Sequence, residues 1–74
     1  MKGANLIGAD LDDAELFGAL LLHANLIEAN LIEANLIDAQ LNGANLTRAS
    51  LEGADLRSAN LCDAVLEATD LTDT

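Results

Sequence analysis

Basic residues are scarce in this chain: Lys2, Arg48 and Arg57 stand against 13 acidic residues, for a net charge of −10 over 74 residues. Phosphate contacts need clustered lysine and arginine, so this balance argues against direct nucleic-acid binding. It argues equally against anionic membrane surfaces. Cysteine is limited to Cys62, which excludes an internal disulfide and a cysteine-built metal site. A single thiol favours a reducing cytoplasm. No apolar run approaches the ~20 residues of a membrane span. Lys2 is followed by Gly3-Ala4-Asn5 rather than by an apolar stretch, so no signal peptide is expected. Proline, tryptophan and tyrosine are absent, and Phe17 is the one aromatic residue, although 51% of the chain is hydrophobic. A domain this short normally cannot build a large globular core.

What is present is a period. Leucine falls at every fifth position from Leu6 to Leu71, fourteen times without exception, and Met1 lies in the same register. Alanine stands two residues earlier, from Ala4 to Ala64, and only Thr69 and Thr74 replace it. The residue between is usually small and polar, as at Asn5, Asp10, Asn25, Ser50 and Asp55. An α-helix advances ~100° per residue, so five residues would scatter the leucines around its axis. A flat strand alternates with period two, so an odd spacing would send successive leucines to opposite faces. The backbone must therefore change direction once per repeat. Each unit is expected to be a short extended piece plus a turn. Leucine and alanine, two apart, point inward, and the other three positions point outward. Stacked, these units make a solenoid with a continuous leucine column.

The motif Ala-(Asn/Asp)-Leu-X-X, seen in Ala24-Asn25-Leu26-Ile27-Glu28 and Ala29-Asn30-Leu31-Ile32-Glu33, resembles the pentapeptide-repeat family over essentially the whole chain. The resemblance implies an all-β, right-handed quadrilateral β-helix with four repeats and twenty residues per coil, hence about 3.7 coils for 1–74 as one solenoid domain. Residues twenty apart would then lie above one another.

Catalytic and metal chemistry find little support. His23 is the only histidine and falls outward, and a metal site would need partners for it beyond Glu28 on a neighbouring corner. Cys62 is outward with no base beside it. Ser50, Ser58 and His23 do not share a face, so no hydrolase triad forms. No catalytic residue, cofactor, metal or small-molecule substrate is expected. Glu28, Glu33 and Asp38 recur at one outward position, and Asp12, Asp13 and Glu15 form a second group. They read as a solvated surface spread around the solenoid, without the converging oxygens of a calcium site.

The position after leucine is often apolar in the first half, at Ile7, Phe17, Leu22, Ile27, Ile32 and Ile37, and becomes mostly polar afterwards. With Leu20 these residues form a candidate interaction surface. The expected function is a non-catalytic structural or protein-interaction module that meets a protein partner or itself, as in a homodimer. Some members of the family are similar to DNA in charge and inhibit or protect type II topoisomerases such as gyrase. That is the alternative the resemblance implies. Those members are longer and often place phenylalanine where this chain has leucine.

Overall fold

The computed structural model describes residues 2–74. Every fifth residue from Asn5 to Asp70 forms a parallel bridge, and each bridge joins residues twenty apart: Asn5 to Asn25, Asn25 to Asn45, Asn45 to Val65, and likewise on the other three sides. Four repeats therefore complete one coil. The bridges remain isolated among the described residues and do not lengthen into strands. The expected short extended pieces are thus single bridged residues, because a turn follows two residues after each one and interrupts the ladder.

The turns have a common form. The amide of Ala29 donates to the carbonyl of Leu26 at 3.0 Å, and the same bond recurs from Ala9 to Leu6 and from Ala49 to Leu46. The second residue after each column leucine has positive φ, from Gly8 at 65° to Asp73 at 56°, and so does Gly3 at 68°. Positive φ at the third residue of a four-residue turn is the mark of type II geometry. Glycine tolerates it without cost, and aspartate and histidine tolerate it better than most residues. Accordingly all five glycines lie in this column, with Asp13, His23, Asp38, Asp63 and Asp73 among the rest.

One repeat shows how the backbone is satisfied. Ala24 N donates to Leu21 O, Asn25 N to Ala4 O of the coil before, Leu26 N to Asn45 O and Glu28 N to Thr47 O of the coil after. The remaining amide, that of Ile27, donates to the side-chain Oδ1 of Asn25 at 3.2 Å. All five N–H groups thus find acceptors, as buried backbone requires. This accounts for asparagine and aspartate before leucine. All nine of them, at 5, 10, 25, 30, 35, 45, 55, 60 and 70, accept from the amide two residues on.

The core is the leucine and alanine columns. Leu21, Leu26, Leu31, Leu36, Leu41, Leu46 and Leu51 are fully enclosed, with Ala24 to Ala54 between them. The expectation of inward leucines from Leu6 to Leu71 needs correction at the ends. Leu6, Leu11, Leu16, Leu56 and Leu61 are only partly buried against this core, and Leu66 and Leu71 are exposed. Among the described residues no further coil lies over them. At the C-terminal end Thr69, standing in the alanine column, donates its hydroxyl to the carbonyl of Leu46 at 2.7 Å. The molecule measures 25 × 22 × 19 Å.

Candidate interaction surface

Each side of the solenoid has a central outward column, the bridged residues, flanked by corner columns made by the turns. The register of twenty fixes which residues share a side. One side is centred on Leu20, Gln40 and Asn60. Phe17, Ile37 and Arg57 mark the corner before it, and Lys2, Leu22, Asn42 and Cys62 the corner after it. Phe17 and Leu20 are the most exposed large apolar residues, at 63% and 54%. Leu22 and Ile37 are half-buried. The other members of the expected surface lie elsewhere. Ile7, exposed, and Ile27, half-buried, share a third corner, and Ile32, half-buried, lies on the fourth. Leu22, Ile27, Ile32 and Ile37 therefore circle one coil as a belt, while Phe17, Leu20, Leu22 and Ile37 gather about one side.

The acidic residues are less evenly spread than the sequence reading held. Asp10 and Asp70 lie in the central column of the side opposite Leu20. Asp12, Asp13, Glu33, Glu52 and Asp73 lie along the corner that follows it. These seven of the 13 acidic residues have no basic residue among them. The Leu20 side with its two corners carries Lys2 and Arg57 against Asp38 and Asp63, and so has no net charge. Linear order hid this asymmetry, which emerges only when residues twenty apart are stacked.

The polar groups around the surface make local contacts. Arg57 holds Asp55 through a bond of 2.6 Å from its guanidinium Nη2 to Oδ2, which keeps the Asp55 carboxyl below its ordinary range. Thr72 does the same for Asp70 through its hydroxyl and amide. Arg48 reaches Glu28 of the coil before at 3.8 Å, with both side chains in solvent, where such pairs contribute little. His23 lies against Gly43 directly below it, in the space a side chain there would fill. Cys62 is exposed. Asn42, at the outward position after Leu41, is half-buried, and its Oδ1 is shut from solvent with no hydrogen-bond donor. An open depression of about 610 Å³ lies between Gly53–Arg57 and Asp73–Thr74, where the last coil leaves the preceding one uncovered. Among the described residues no three His, Cys, Asp or Glu side chains converge to hold a metal, and no helix is long and apolar enough to cross a membrane.

A solenoid of five-residue turns stacked in parallel register defines a class of repeat protein, and the sequence comparison gives its family. The pentapeptide repeats match residues 9–48 and 49–74 in eight copies, and the chain belongs to that family. Among solved structures it is similar to a pentapeptide repeat protein of the Arabidopsis thaliana thylakoid lumen, with 28% identity and a TM-score of 0.83 over 97% of this chain and 57% of that one. It is also similar to HetL, a pentapeptide repeat protein involved in heterocyst differentiation regulation in the cyanobacterium Nostoc sp. strain PCC 7120. There the identity is 38% and the TM-score 0.47, over 95% of this chain and 37% of that one. A pentapeptide repeat protein of the cyanobacterium Cyanothece 51142 gives 38% identity and a TM-score of 0.43, over 96% and 43%. The chain thus spans little more than half the length of these proteins or less. A search among curated proteins returns no match.

Proposed function

We propose that the chain is a non-catalytic scaffold that acts by protein–protein contact, built as a right-handed quadrilateral β-helix of about 3.7 coils. The observation that carries this reading is the exposure of Phe17 and Leu20 outside a core that is complete without them. Exposed aliphatic and aromatic groups gathered on one side favour a protein partner or a second copy. The exposed Cys62 thiol suits a reducing cytoplasm. The test is affinity capture and sedimentation of the wild type beside a Phe17→Asp, Ile37→Asp double variant, with folding followed by circular dichroism. A partner or self-association lost in the folded double variant supports the reading. Binding unchanged by both substitutions contradicts it. The DNA-mimicking topoisomerase alternative rests on acidity alone, and a gyrase supercoiling assay tests it separately.

A further inference from the structure

We propose that the side centred on Leu20 packs against the same side of a second copy, with the two solenoids parallel about a twofold axis beside Leu20. The inference rests on the interaction-module reading and goes on to name the occupant and its orientation.

Charge selects the side. With a net charge of −10 per chain, two copies approach most easily where neither presents excess charge. The Leu20 side balances Lys2 and Arg57 against Asp38 and Asp63, and pairing through it turns both acidic sides away from each other. The two ends are poorer contacts. The first coil holds Asp10, Asp12, Asp13 and Glu15 against Lys2, and the last holds five acidic residues against Arg57, so end-to-end stacking opposes like charges.

The pattern of side chains selects the orientation. Phe17, Leu20 and Leu22 lie across one coil, at one level of this side. A twofold axis parallel to the solenoid exchanges the corners and keeps the level. Leu20 then meets Leu20 of the second copy, and Phe17 meets its Leu22. At the bottom of the side, Arg57 meets the second copy's Asp63. An antiparallel pair centred on the side would instead set Leu20 against Asn60 and Leu22 against Cys62. Centred on the apolar row, it would leave the last coil uncovered. The area suffices in the parallel case: 3992 Å² of accessible surface, shared over four sides and two ends, is roughly 650 Å² each. Covering one side of two copies buries about 1,300 Å², within the range of specific interfaces.

Sedimentation of the wild type at ~100 μM, far above the ~1 μM of a moderate affinity, is expected to give a dimer. Leu20→Asp is expected to fold, since Asp10, Asp55 and Asp70 occupy the equivalent central position on other sides, and to weaken the dimer at least about tenfold. In a Cys62→Ser background, Leu20→Cys is expected to form a covalent dimer on mild oxidation, because the axis brings the two thiols together. Ile7→Cys, exposed on another corner, is expected to form no covalent dimer under the same oxidation. A wild type that is monomeric at ~100 μM overturns the proposal while leaving contact with another protein intact. A dimer that Leu20→Asp does not weaken, or that Ile7→Cys traps and Leu20→Cys does not, overturns the choice of side.

Discussion

Asparagine before leucine and positive φ after it are two residue-scale devices that the five-residue turn demands. Asn25 stands for the first. Its Oδ1 accepts from the Ile27 amide, a donor that no backbone carbonyl takes. Asn25→Ala is expected to cost about 0.5–1.5 kcal/mol in urea denaturation, the usual worth of such a bond. Asn25→Asp, which keeps the acceptor, should be close to neutral. Gly8 and Gly43 separate the two costs of the second device. Both have positive φ, but a side chain at Gly8 meets nothing, whereas at Gly43 it meets the His23 imidazole. Gly8→Ala should cost about 1–2 kcal/mol, the strain of a left-handed non-glycine residue. Gly43→Ala should cost more, and His23→Ala made in that background should recover the excess, as a thermal-melting double-mutant cycle would show. Acid acts at this scale too. Asp55 and Asp70 lie below their ordinary value of 3.8 because Arg57 and Thr72 hold the charged forms. Their contribution is present above pH 3.8 and is lost as pH falls through the lowered folded values. Carboxyl titration by NMR should find Asp55 lowered in the wild type and returned toward 3.8 in Arg57→Ala.

At the scale of the repeat, inward leucine and alanine were legible from spacing, because a period of five fits neither a helix nor a strand. Four repeats per coil was not legible from spacing. It came first from the family resemblance and then from the bridges at twenty residues. The glycines at 3, 8, 18, 43 and 53 all share one column, a visible signal of the left-handed turn position that leucine counting passed over. Burial grades along the leucine column in a way the period cannot express, since each repeat has the same pattern but a different number of coils around it. Leu36→Ala, at the fully enclosed centre, is expected to cost about 2–5 kcal/mol. The same change at Leu71, 40% exposed, should cost far less. Equal losses at the two positions, measured by urea denaturation, would contradict a core confined to the middle coils. Ala34→Leu should be damaging as well, because the enclosed column has no room for it.

For the whole molecule, stacking turns a uniform sequence into a polarised object. Register places seven carboxylates on one side and corner and leaves the opposite side neutral and partly apolar. Ile7, Phe17 and Leu20 were singled out in the sequence and are exposed, but Ile7 lies away from the other two, and the one-sided charge was hidden because its members are dispersed from Asp10 to Asp73. Everything argued for the surface depends on residues twenty apart being neighbours. Through-space proton contacts in solution NMR measure that directly. Contacts are expected between the backbone of Leu26 and that of Asn45, and between Asn30 and Ser50, repeated on every side. Contacts confined to residues three and four apart, or stacked at a spacing other than twenty, would contradict it.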